Sequence, residues 1–149
     1  MFTVPKVKNF KLVQALNDDR SYLFDLRKLT MVAHLEREGL YLSDDQFRLR
    51  VDDKYECAYL IVSSGEKIGV INYQEFVEKI VIMQIQIHPD FQGRGFGQRV
   101  IKQILDSSRT KSVELSVLKS NPAISLYERI GFSITGEDEN EFFMEFNNN

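Results

Sequence analysis

One cysteine, three prolines and eight glycines are spread over 149 residues. A lone thiol, Cys57, excludes an intrachain disulfide and any cysteine-built metal cluster, and it suits a reducing compartment. Its setting, Tyr55-Glu56-Cys57-Ala58-Tyr59-Leu60-Ile61-Val62, reads as strand, where a small thiol is buried and inert. The few Pro and Gly form no low-complexity linker, and no segment repeats, so a single domain over residues 1–149 is expected. No apolar run approaches the ~20 residues that cross a bilayer. Residues 1–6 lack the apolar stretch of a signal peptide, so a cytoplasmic location is the default expectation. Neither sign of charge dominates: 19 basic residues face 22 acidic ones, for a net charge of −3. That balance gives no global argument for a nucleic-acid or membrane partner. What remains is an apolar fraction of 43% and a charged fraction of 28%, the proportions of an ordinary globular domain.

Hydrophobic spacing organises the chain. Residues 18–38 place Tyr22, Leu26, Leu29 and Ala33 at steps of 4, 3 and 4, which predicts an amphipathic helix, with Gly39 placed to stop it. Ser43-Asp44-Asp45-Gln46 has the S-x-x-Q form of a capping box and opens a second helix running to about Arg50. Three β-rich runs follow at 56–63, 68–76 and 79–88, the first two joined by the turn Ser63-Ser64-Gly65-Glu66. A helix is expected from near Gly97, marked by Val100, Ile101, Ile104 and Leu105. Residues 111–118 alternate as a half-buried strand. Asn121 and Pro122 then read as N-cap and first residue of a short helix that Gly131 ends. Two last strands, 132–135 and 141–146, flank the acidic turn 136–140. The terminal Asn147-Asn148-Asn149 reads as a frayed end. The order α-α-β-β-β-α-β-α-β-β implies an α/β fold: a mixed sheet with helices on both faces.

The most informative stretch joins the third run to the next helix: His88-Pro89-Asp90-Phe91-Gln92-Gly93-Arg94-Gly95-Phe96-Gly97-Gln98. The first N–H groups of a helix lack intrahelical partners and sit at the positive end of its dipole. Glycines let a backbone turn sharply and approach an anion, so this pattern suits a phosphate. A structural glycine turn is the competing reading. A P-loop fails, because no second glycine stands five residues after Gly93 and no Lys-Ser or Lys-Thr follows. A dinucleotide fingerprint fits poorly: Gln98 occupies its third glycine position, and the turn follows three strands instead of opening the first βαβ unit.

Gln92-Gly93-Arg94-Gly95-Phe96-Gly97, as Q-x-x-G-x-G after a strand and His88-Pro89, resembles the coenzyme A loop of the GNAT acyltransferase superfamily. Asn121-Pro122-Ala123-Ile124-Ser125-Leu126-Tyr127-Glu128-Arg129-Ile130-Gly131-Phe132 resembles the family's later segment, one strand further on. Asn121 lies six residues before Tyr127, one fewer than in many members. The resemblance implies a sheet of about seven strands with a splayed central V. It implies an N-acetyltransferase that moves an acetyl group from acetyl-CoA to a primary amine by direct attack in a ternary complex. Ile85, Gln86 and Ile87 would then hold the pantetheine arm and the thioester carbonyl through their main chain. Gln92, Gly93, Arg94, Gly95, Phe96, Gly97 and Gln98 would bind the pyrophosphate, with charge from Arg94 and Arg99. Asn121 would touch coenzyme A, though an N-cap explains it equally. Tyr127 would be the general acid for the leaving thiolate, against its plain reading as a core aromatic.

The proton acceptor is left open by the sequence. Nine and eleven residues before Gln92, where relatives carry a base, stand Met83 and Val81, which take no proton. Glu75, Glu78 and Glu114 read as solvated strand residues and His88 as part of a turn; a water-mediated base is the remaining option. Tyr22, Phe24, Arg27, Met31, His34 and Tyr41 are candidate acceptor-pocket residues. The acidic turn Glu137-Asp138-Glu139 would favour a cationic acceptor if it edges the cleft. The implied partners are acetyl-CoA and an amine, with no metal, nucleic acid or membrane, and with a homodimer left open. A non-catalytic acyl-CoA sensor is the alternative function, and a dinucleotide-binding protein a weaker one.

Overall fold

A computed structural model describes residues 9–147; the readings made for residues 1–6, 148 and 149 lie outside them. Strand β1 (Lys11–Gln14) leads through a 3-10 turn (Asn17–Asp19) into α1 (Arg20–Arg37) and α2 (Asp44–Asp52). Strands β2 (Ala58–Ser63), β3 (Glu66–Glu75) and β4 (Lys79–Ile87) follow. Then come α3 (Phe96–Ser107), β5 (Ser112–Leu118), α4 (Ala123–Ile130), β6 (Ser133–Glu137) and β7 (Glu141–Phe146). The seven strands form one mixed sheet in the order β1-β2-β3-β4-β5-β7-β6. Its α/β architecture is the one expected, apart from β1, which the element reading omitted. That strand is four residues long and mostly exposed at the sheet edge, so it carries no alternation to read.

Local chemistry sets the element ends. Gly39 (φ +75°) ends α1: its N–H donates to the Glu36 carbonyl at 2.9 Å, and the Leu40 N–H to that of Leu35 at 2.8 Å. These are the paired bonds of a Schellman stop, which needs a left-handed residue at that position. At α2 the capping box closes in both directions, Gln46 N–H to Ser43 Oγ at 3.2 Å and Ser43 N–H to Gln46 Oε1 at 2.8 Å. Ser64 (φ 52°) and Gly65 (φ 78°) turn β2 into β3, the two positive φ values of a primed hairpin turn. Cys57 is buried as expected, but in a 3-10 turn (Tyr55–Cys57) ahead of β2 and not in the strand itself.

The two sheet faces are covered by different helix pairs. On one, Val100, Ile101, Ile104 and Leu105 of α3 and Tyr127 of α4 pack with Ile61, Ile71, Ile80, Ile82 and Val113. On the other, Leu23 and Leu26 of α1 and Val51 of α2 pack on Ala58, Leu60 and Val70. The buried face of α1 differs from the stripe read in the sequence. Leu29 is 58% exposed and Ala33 lies at the surface, whereas Leu23, Leu26 and Leu35 are buried. The inner face mixes apolar residues with Arg27, Thr30 and His34, so a search for an unbroken apolar stripe selects a face rotated from the buried one that shares Leu26 with it.

The sheet opens at its centre. Parallel strands β4 and β5 pair only from Lys79↔Ser112 to Ile82↔Leu115. Beyond that point β4 stays paired with β3 as far as Gly69↔Ile87, and β5 with β7 as far as Leu118↔Glu141. The two strands therefore diverge, each held by its outer neighbour. A bulge marks the start of the divergence. Asn72 faces Gln84 and Tyr73 faces Ile82, which leaves Met83 as the extra residue on β4.

Candidate active site

The divergence leaves a cleft between 83–87 of β4 and 116–118 of β5, and α1 crosses it. Arg27 hydrogen-bonds Gln84 on β4. Further along the helix, Leu35 shares a buried cluster with Leu118 at the end of β5, and the Glu38 carboxylate accepts the Ser120 N–H at 3.1 Å. Between these moorings Thr30, Met31 and His34 line the cavity beneath. Their i, i+1, i+4 spacing is one helix face.

On the other side of the cleft is the glycine loop. A 3-10 turn (Pro89–Phe91) follows β4, with His88 Nδ1 accepting the Asp90 N–H at 3.1 Å; His88 is thus a turn residue, as its sequence suggested. Gln92 Nε2 donates to the Ile87 carbonyl at 2.9 Å and ties the loop to the end of β4. Gly93 (φ +77°) and Gly95 (φ +82°) are both left-handed, and α3 begins at Phe96. A Cβ at either glycine would meet nothing within 4 Å, so conformation and not crowding demands glycine here. The Gln92 N–H reaches the Pro89 carbonyl at 3.3 Å, and the next loop N–H with a carbonyl partner is Arg99 to Gly95 at 3.1 Å. Among the described residues, no carbonyl takes the N–H of Gly93, Arg94, Gly95, Phe96, Gly97 or Gln98. A run of bare donors at a helix N-terminus fits an anion with several oxygens.

A cavity of about 460 Å³ joins loop, cleft and roof. It brings together Ile85, Gln86, Ile87, Gln92, Gly93, Gly95, Phe96, Gly97, Gln98, Asn121 and Tyr127, all singled out in the sequence. Arg94 is not in its wall; its guanidinium stacks on Phe91, 5.4 Å from the ring centre. Thr30, Leu126 and Arg129 also line the cavity and had not been singled out. The last two sit inside the Asn121–Phe132 motif, on either side of Tyr127. Of the other acceptor candidates, Met31 and His34 reach the cavity; Tyr22, Phe24, Arg27 and Tyr41 do not.

Tyr127 is 7% exposed and meets Phe132 edge-on at 6.0 Å. It is therefore both a core aromatic and a cavity residue. Its hydroxyl has no partner among the described residues, yet it is not sealed from solvent. Burial pushes its pKa up to about 12, so the phenol keeps its proton at neutral pH and can donate it. α4 begins at Ala123 with Pro122, and not Asn121, at the N-cap position; Asn121 Oδ1 still accepts the N–H of that first residue at 2.9 Å, and its side chain also borders the cavity.

Behind the wall lies a buried polar network. Gln84 accepts from Arg27 and from Gln86 Nε2 (3.1 Å), and donates to Asn72 Oδ1 at 2.8 Å. Burial, then the neighbouring Arg50, lowers the Arg27 pKa to about 10. The network holds the splayed half of β4 to α1. Among the described residues, none that lines the main cavity is an Asp or Glu. The strand carboxylates pair elsewhere, Glu114 with Lys79 at 3.3 Å and Glu75 with Lys111.

Comparison with known proteins agrees with this geometry. The sequence profile described as the acetyltransferase (GNAT) family matches residues 21–132. The spermidine N(1)-acetyltransferase of Escherichia coli (strain K12) is 29% identical over 152 aligned positions, covering 95% of this chain and 82% of that protein. A ribosomal-protein-bS18 alanine N-acetyltransferase of Haemophilus influenzae is 32% identical over 76 positions, covering 49% of this chain and 52% of that one. Among solved structures, the PaiA N-acetyltransferase of Thermoplasma acidophilum in complex with coenzyme A superposes with a TM-score of 0.72 at 16% identity, covering 93% of this chain and 99% of that chain. With two of its motifs joined in one cavity and its profile matched over most of its length, the chain belongs to the acetyltransferase (GNAT) family.

Proposed function

We propose that this protein transfers an acetyl group from acetyl-CoA to a primary amine by direct attack within a ternary complex. The observation that carries the reading is the run of unpaired N–H groups from Gly93 to Gln98 opening onto the unpaired end of β4 in a single cavity. The loop would hold the pyrophosphate, and the main chain of Ile85, Gln86 and Ile87 the pantetheine arm and thioester carbonyl. Asn121 would meet the cofactor from the α4 side. Tyr127 then stands in the same cavity with its proton in place for the departing thiolate. Spermidine and a ribosomal-protein alanine, the acceptors in the names of the two relatives, suggest the first to test: spermidine itself, which carries primary amines, and a peptide with alanine at its amino end. The cytoplasm, where acetyl-CoA is supplied, is the setting in which we place the reaction.

The test combines binding and turnover. Acetyl-CoA is expected to raise the melting temperature in a concentration-dependent way, and thiol release is expected with spermidine or an alanine-initiated peptide. A melting temperature indifferent to saturating acetyl-CoA would count against the reading. A shift without thiol release over a wide amine panel would point instead to an acyl-CoA sensor.

A further inference from the structure

α1 spans the cleft between two fixed points, Arg27 on β4 and the Leu35–Leu118 and Glu38–Ser120 contacts beyond β5. Residues that it turns inward between them face the gap from the side opposite the glycine loop. His34 is one of these. Among the described residues, the lining contains no Asp, Glu, Lys or Cys; Arg129 contributes a guanidinium, and Tyr127 holds its proton. Among the lining residues, His34 alone is a side chain able to take up a proton near neutral pH. Its Nδ1 is sealed off with no partner, whereas Nε2 is not sealed and is the nitrogen left to meet a ligand.

We propose that His34 is the proton acceptor for the attacking amine. The proposal rests on the acetyl-transfer reading and supplies the base that β4 lacks at Val81 and Met83. The amine lone pair bonds to the thioester carbon, and the carbonyl π pair moves to oxygen. The nitrogen, now far more acidic than in the free amine, passes one proton to His34 Nε2. The carbonyl re-forms, the C–S bond breaks, and the thiolate takes the Tyr127 proton. Amide and coenzyme A thiol are the products; the imidazolium returns its proton to water and Tyr127 regains one.

The surroundings favour a neutral ring. Burial, then the Arg37 charge, lowers the His34 pKa from its usual range. Of the other titratable groups, Tyr127 and Arg129 of α4 line the same cavity, and Glu38 lies four residues on, just past the end of α1. Glu38 is engaged by the Ser120 N–H, and Lys119 pairs with Glu137 at 3.4 Å.

His34→Gln and His34→Ala test this, assayed with acetyl-CoA and three acceptors: spermidine, an alanine-initiated peptide and hydroxylamine. With an acceptor amine that is protonated at pH 7, kcat should fall about 100-fold or more, the usual worth of a general base. The KM for acetyl-CoA and the acetyl-CoA-induced melting shift should be unchanged. Hydroxylamine, a far weaker base whose tetrahedral adduct gives up its N–H proton to water more readily, should lose much less. Imidazole in the buffer should restore part of the His34→Ala rate, and the acidic limb of the wild-type pH–rate profile should vanish. Wild-type-like kcat and an unaltered acidic limb in both variants would overturn the role of His34 while leaving acetyl transfer standing. No thiol release by the wild type with any of the three acceptors would overturn both.

Discussion

Tyr127 carries two demands on one ring. Its edge-on contact with Phe132 belongs to the core, while its unpartnered hydroxyl belongs to the cavity. Tyr127→Phe keeps the first and removes the second. Turnover should therefore drop about 10- to 100-fold, with the melting temperature and the KM for acetyl-CoA nearly unchanged, as steady-state assays and thermal melts would reveal. Titration gives an independent check. Burial raises both Tyr22 and Tyr127 to about 12 from an ordinary 10. The unfolded chain therefore loses these protons first. Stability is intact below pH 10 and falls as pH rises toward 12. For Tyr127, which is nearly fully buried, the loss across that window is on the order of 2 kcal/mol. Denaturant melts between pH 9 and 11.5 should show this decline, and Tyr127→Phe should flatten it. At this scale the sequence was half legible. The motif pointed to Tyr127, and His34 stood among six candidate pocket residues of which only it and Met31 reach the cavity, but nothing marked Thr30. Whether a helical residue faces core, cleft or water depends on which strands the helix crosses.

Elements place these residues, and two glycines show how. Gly95 begins α3 in a left-handed conformation with open space around it. Gly95→Val would force a β-branched residue into that region. The bare N–H groups would turn away from one another, and acetyl-CoA affinity measured by calorimetry should fall at least tenfold, with a smaller loss of stability. Gly69 has the opposite reason for being glycine. A Cβ there would sit 2.2 Å from the Gln86 carbonyl oxygen, so β3 approaches β4 closely at the far end of the stretch that has left β5. Gly69→Ala should destabilise the protein by about 1–3 kcal/mol, the usual cost of overpacking. It should also raise the KM for acetyl-CoA, because the displaced segment is the cleft wall. The turn at Gly93 and Gly95 was legible because its chemistry is local. The need for Gly69 was not, because it arises from a strand pairing that sequence spacing does not specify.

For the whole molecule, most strands and both later helices follow from periodicity and caps. The edge strand β1, the polar inner face of α1 and the central divergence do not. Divergence in particular is a matter of register: β4 and β5 each look like ordinary buried strands, and only their pairing partners show where they part. The seven-stranded sheet is in effect two smaller ones, β1–β4 and β5–β7–β6, joined along a seam of four register pairs. Such a seam concentrates whatever breathing the sheet has. Amides on the far end of β4 that lack a β5 partner should exchange with deuterium faster than those before Ile82. Acetyl-CoA should slow them, as its own amide groups take the empty rung positions. The protein would then be stiffest when loaded, its cofactor serving as the missing stitch between the two half-sheets.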